Sequence, residues 1–146
     1  MSRLKLIFLL ATLTIPFTAL PAGAQDTPTS PVVGGSIVLP EGSILPDDAA
    51  ILVTVDDTSR ADAAAVTLSR LEMQAPGASS PIPFALSVLP VALEAHPALE
   101  PLDITILVRI ESADGTLLFI NDTAITAVDA EGPIGDLVVP VVAVES

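Results

Sequence analysis

The sequence has no cysteine, tryptophan or tyrosine, one histidine and five basic residues, and each shortage removes a class of function. Without cysteine there is no disulfide, no thiol nucleophile, no thiolate zinc site and no residue to carry a lipid anchor. The one histidine, His96, stands in Glu94-Ala95-His96-Pro97. A metal site usually combines several His, Cys or carboxylate ligands, so a solvent-facing loop histidine is the better account. No lysine follows Lys5, which removes a Ser–Lys pair, and no serine occupies a Gly-x-Ser-x-Gly elbow. Paired carboxylates could in principle cleave a glycoside, but such sites stack the sugar on aromatic rings. This chain has four Phe, two of them (Phe8 and Phe17) in the N-terminal segment. Phosphate loops and dinucleotide fingerprints are absent. The sequence points to a non-catalytic protein without a cofactor.

Positive charge is scarce in a patterned way. Arg3 and Lys5 stand at the N-terminus, Leu6–Phe17 is mostly apolar with Pro16 in it, and Ala22-Gly23-Ala24 offers small residues at signal-peptidase spacing. That is the layout of a secretory signal, with cleavage expected after Ala24. The apolar run is shorter than the roughly 18–20 residues a membrane span needs. All 18 acidic residues follow Ala24, against only Arg60, Arg70 and Arg109, so the exported chain would carry a formal charge of −15. Such a surface offers phosphates almost no counter-charge, which excludes nucleic acid and anionic lipid as partners. After export, no stable membrane insertion is expected. The location is periplasmic or secreted.

Residues 25–33 form a polar, proline-bearing tether, and residues 34–146 are one domain, long enough to bury a core without staples. Fourteen prolines argue against long helices. Apolar residues alternate at Ile51, Val53 and Val55, at Ile82, Phe84, Leu86 and Val88, and at Ile104, Ile106, Val108 and Ile110. A period of two rich in β-branched residues marks half-buried strands. Further strands are expected at Gly35–Leu39, Val66–Met73, Leu117–Ile120, Ala124–Val128 and Leu137–Val142. Parity slips within Val66–Met73, and a β-bulge around Ser69-Arg70 reconciles it. Asp114-Gly115 supplies a hairpin turn. Pro140 places the last strand at a sheet edge or a bulge, and Pro90–Pro101 is a crossover with room for a short helical turn. The expected fold is all-β: seven to eight strands in an antiparallel sandwich, Ig-like or a small barrel. Gly35-Ser-Ile-Val-Leu-Pro40 is nearly repeated at Gly42-Ser-Ile-Leu-Pro46, too few copies for a solenoid.

The order of motifs resembles one family. A strand opening with Gly and a Leu-Pro segment precede a strand that ends in Asp-x-Ser-x-Ala-Asp, here Asp57-Thr58-Ser59-Arg60-Ala61-Asp62. Pro81-Ile82-Pro83-Phe84-Ala85-Leu86 follows, then Arg109-Ile110, Gly115 and Leu117-Leu118-Phe119-Ile120-Asn121-Asp122-Thr123. This arrangement is similar to the YbaY/YscW-type envelope lipoproteins, which include pilotin-like chaperones of type III secretion. The resemblance implies a periplasmic β-sandwich. For the pilotin-like members it also implies binding of an outer-membrane secretin and help with its assembly. One departure matters: such members commonly carry a lipidated cysteine at the cleavage site, where this chain has Gln25. Without an acyl chain it cannot ride to the outer membrane as a lipid-anchored escort.

The functional expectation is therefore a protein-binding module acting on an envelope or secreted partner, secretin-like by resemblance. Leu52, Leu107 and Leu118, with Val138 and Val142, fall on the parity assigned outward and are the candidate partner-binding residues. Cover by another part of the same chain is the competing account. The motif loop Asp57, Ser59, Arg60 and Asp62 is the second candidate site. Its carboxylates with Asp56 could hold calcium, but it lacks the mid-loop glycine and terminal glutamate of an EF-hand, and an Asp–Arg60 pair accounts for it more simply. Asn121-Asp122-Thr123 matches a glycosylation sequon, a pattern frequent by chance. The alternatives to partner binding are a structural or stress-related periplasmic protein without a client, or a weak calcium-binding module.

Overall fold

A computed structural model describes residues 32–88, 103–129 and 131–145. The expected signal, His96 and the Pro90–Pro101 crossover lie outside these residues. The protein is all-β: the described residues contain eleven strands and no helix longer than a single 3-10 position at Asp103. Strand β1 is Val32–Val38, two residues of which had been expected in the tether. β2 is Ala50–Asp57, β3 Val66–Gln74, β4 Ile82–Ser87, β5 Ile104–Glu111 and β6 Leu117–Ile120. Short strands follow: β7 Ile125–Thr126, β8 Val128–Asp129, β9 Gly132–Pro133, β10 Leu137–Pro140 and β11 Val142–Ala143.

The strands form where β-branched side chains alternate, because that spacing puts every second side chain on one face of a pleated ribbon. In β5, Ile104, Ile106, Val108 and Ile110 are buried while the residues between them are partly exposed. β2 buries Ile51, Val53 and Val55, and β4 buries Ile82, Phe84 and Leu86. Each such side chain taken fully out of water contributes about 1.5–3 kcal/mol. The larger sheet runs β11-β6-β5-β2-β3, with β7 also on β5; the smaller runs β10-β1-β4; β8 and β9 form a separate pair. The buried side chains of the two sheets fall in one apolar cluster.

Two details differ from the sequence expectation. Pairing is antiparallel throughout except between β1 and β10, which is parallel, so the sheets are not purely antiparallel. The expected last strand, Leu137–Val142, is two strands. Pro140 has no N–H, the Val141 N–H donates to the Val38 carbonyl (3.0 Å), and the chain then leaves β1 to pair with β6. β10 is the edge strand of its sheet, as Pro140 led one to expect, and with Pro140 opposite Val38 and the next N–H bonding to β1 the proline costs no ladder bond. The close approach of β10 also explains Gly35: a Cβ there would lie 2.0 Å from the Leu137 carbonyl oxygen. Only glycine fits.

The expected bulge is present one residue earlier than Ser69-Arg70. Val55 opposes Ser69 and Asp56 opposes Thr67, so Leu68 is the extra residue. The Asp114-Gly115 turn closes β5 onto β6, with Gly115 at φ 83° and its N–H donating to Ser112 O (2.9 Å). Of the near-repeated segments, the first lies in β1. The second is a turn whose Leu45 is buried and donates its N–H to Ala78 O (2.9 Å).

Candidate partner-binding face

The outward parity of the larger sheet sets residues of four strands in cross-strand rows. Leu52 lies between Glu72 of β3 and Arg109 of β5, and Arg109 is followed by Ile120 of β6. Thr54 lies between Arg70 and Leu107, and Asp56 between Thr67 and Thr105. Leu52, Leu107 and Ile120 are half-buried. They make a short apolar stripe crossed by two ion pairs within strands, Arg70 with Glu72 and Arg109 with Glu111. In the second pair, Nε (3.2 Å) and Nη2 (2.8 Å) of Arg109 both donate to one carboxylate oxygen. Of the other expected outward residues, Leu118 is half-buried in β6, while Val138 and Val142 are exposed, Val138 by 65%.

Thr54 and Asp56 are buried although their parity is outward. The Thr54 hydroxyl donates to Asp56 Oδ2 at 2.7 Å, while Oδ1 is buried with no hydrogen-bond partner among the described residues. Beside Asp56 opens a cleft of about 250 Å³, walled by Leu107, Thr105, Asn121 and Asp122 among others. The sequence places Asp56 only among the carboxylates of the motif loop, because an acid at a strand end ordinarily marks where the chain meets water; its burial was not expected.

Asn121 is the polar residue that holds this region together. β6 covers β5 only from Arg109 onward and β7 covers only Thr105 and Ile106, which leaves a gap in the ladder. Asn121 fills it: its Oδ1 accepts from the Val108 N–H (2.6 Å) and its Nδ2 donates to Ile106 O (3.1 Å). A third bond, to Thr123 O (3.1 Å), fixes the turn that follows. Buried backbone groups must be paired, and here a side-chain amide serves as one peptide unit of a missing strand. In the sequence its only signal was the sequon, and the amide nitrogen of that sequon is buried and already engaged.

The motif loop is organised by backbone contacts. Asp57 is buried and its Oδ1 accepts from the Ser59 N–H (2.8 Å). The N–H and hydroxyl of Thr58 both donate to Asp103 O, at 2.7 and 2.8 Å. Arg60 and Asp62 are exposed. Among the described residues Arg60 makes no ion pair, so the expected Asp–Arg60 pair does not fix the loop. A guanidinium at an exposed turn gains little by leaving water for a surface pair. Among the described residues no three acidic or histidine side chains gather as a metal site would need. Asp114, in the β5–β6 turn, has its pKa lowered to about 2 by the Ser112 hydroxyl (2.6 Å) and the Thr116 N–H (2.9 Å).

Comparison with known proteins gives three findings. The sequence pattern of the type III secretion system lipoprotein chaperone family (YscW) matches residues 28–138. An uncharacterized lipoprotein of Escherichia coli (strain K12), YbaY, is 30% identical over 125 residues, covering 85% of this chain and 63% of its own. This chain thus spans less than two-thirds of that relative's length. The structure of an alternative pilotin from the type II secretion system of Vibrio cholerae is similar at a TM-score of 0.65 and 25% identity. That match covers 79% of this chain and 97% of the solved one.

Proposed function

The chain belongs to the YscW family of secretion-system lipoprotein chaperones, a non-catalytic family of the cell envelope, and we propose that it is a protein-binding module of the pilotin-like kind. In this reading the domain is a β-sandwich that works in the periplasm or outside the cell, released by cleavage after Ala24, and grips an envelope or secreted partner, secretin-like by kinship. The family match across 28–138 carries the reading. Its support in the fold is the stripe of Leu52, Leu107 and Ile120 on the outer face of the larger sheet. A partner's amphipathic segment could cover that stripe, while the flanking charges set its orientation. In this reading, with no cysteine to take an acyl chain, the module acts as a free binder rather than a lipid-anchored escort.

The test is capture of partners from periplasmic extract by chemical cross-linking, with the chain as bait. Leu107→Asp and Leu52→Asp should each lose the captured partner while keeping the strand-rich circular dichroism spectrum. A bait that retains nothing specific, or variants that retain the partner unchanged, would refute the binding face. The first of those outcomes would favour a structural envelope protein without a client.

A further inference from the structure

We propose that the outer edge of β3, unpaired among the described residues, pairs with the β3 edge of a second copy of this chain, antiparallel about a two-fold axis at Leu71. This surface is separate from the outer face, so its failure would leave the partner-binding reading standing.

β3 is the terminal strand of the larger sheet, nine residues long, and among the described residues its backbone pairs only with β2. Such an edge presents a row of unpaired N–H and C=O groups. Both edges of the smaller sheet carry proline, Pro83 in β4 and Pro140 in β10, and the far edge of the larger sheet, β11, is only two residues long. β3 has no proline. Its faces are also matched to themselves. Arg70 and Glu72 point outward, being opposite Thr54 and Leu52, and their side chains are 57% and 68% exposed. Leu71 and Met73 point inward, opposite Val53 and Ile51, and remain half-buried at the margin of the core.

In an antiparallel pair centred on Leu71, Arg70 of each copy faces Glu72 of the other, so the pairing carries two complementary charge contacts. Leu71 meets its own counterpart, which extends the inward apolar face across the joint, and Met73 meets Ser69, whose hydroxyl donates to Ser87 O (2.7 Å). The run from Leu68 to Gln74 supplies the paired length. The Leu68 bulge ends it and, by bending the strand, stops an unlimited ribbon from forming. The contact between Arg70 and Glu72 within one strand then becomes part of a four-charge cluster.

Sedimentation equilibrium reads the prediction. The chain should dimerise, and Arg70→Glu, which sets like charges opposite each other twice, should weaken the dimer roughly 30-fold. Glu72→Arg should weaken it similarly. The exchanged variant Arg70→Glu/Glu72→Arg should restore the original affinity to within about threefold, since it preserves the complementarity. These side chains are exposed, so circular dichroism should not change. Alternate β3 amides should become protected from hydrogen exchange as concentration rises. A chain that stays monomeric at about 0.5 mM, a single variant that dimerises like the parent, or an exchanged variant that stays weakened would each overturn the proposal.

Discussion

At the scale of single residues, the arrangement depends on a few side chains that replace backbone. Asn121 is the clearest, since it supplies both donor and acceptor where neither β6 nor β7 reaches β5. Asn121→Ala would strand the Val108 N–H and the Ile106 carbonyl in a buried site, at about 1–3 kcal/mol for each unpaired group. The expected outcome is a loss of about 2–4 kcal/mol in urea unfolding, with Asn121→Asp also destabilised because a carboxylate cannot donate to Ile106 O. Little of this was legible in the sequence. Asparagine after a strand usually means a turn, and only knowing where β6 stops and β7 begins shows that a gap needs filling. Asp56 is similar: its parity says solvent, and the structure buries it.

At the scale of elements, the β5–β6 connection shows a local signal that carried over well. Asp-Gly was expected to turn the chain, and Gly115 does adopt positive φ there. The turn also makes a pH prediction. Asp114 has its pKa lowered from 3.8 to about 2 because its ionised form accepts two bonds at Oδ1. A lowered carboxyl pKa stabilises the fold above the unfolded value, and that contribution disappears as pH falls from about 4 through about 2. Asn in its place can still accept both bonds with its carbonyl oxygen, but without charge. Asp114→Asn should therefore flatten the pH dependence of stability between about pH 4 and about pH 2, as measured by denaturant unfolding at each pH. An unchanged slope would mean that other carboxylates govern it. Other elements were legible for the same local reason: β2, β4 and β5 announce themselves by alternation, and the slip in β3 announces its bulge. The split of β10 from β11 was only half legible. Pro140 signalled a sheet edge or a bulge, and β10 is an edge strand, but nothing local says that β10 joins one sheet and β11 the other.

At the scale of the whole molecule, charge is the dominant feature. Eighteen acidic residues against five basic ones give −13, and two of the bases, Arg70 and Arg109, are taken up by glutamates of their own strands. Such an excess repels itself most in the compact state. Raising sodium chloride from about 10 to about 200 mM shortens the screening length from roughly 30 to roughly 7 Å. The melting temperature should rise by roughly 5 °C over that range, read by differential scanning calorimetry, with choline chloride giving the same curve. A flat response would show that the acidic groups lie too far apart to interact.

Alternation by itself determined the all-β class and most strand positions, and the order of the motifs pointed to the family, because each depends on residue types or on contacts with near neighbours in the chain. The tertiary structure alone decided the parallel β1–β10 pair, the ladder gap that Asn121 closes, the burial of Asp56, and which strands stand at the sheet edges among the described residues. Those depend on which segments distant in sequence lie side by side, and a period of two says which way a side chain points without saying what it will meet.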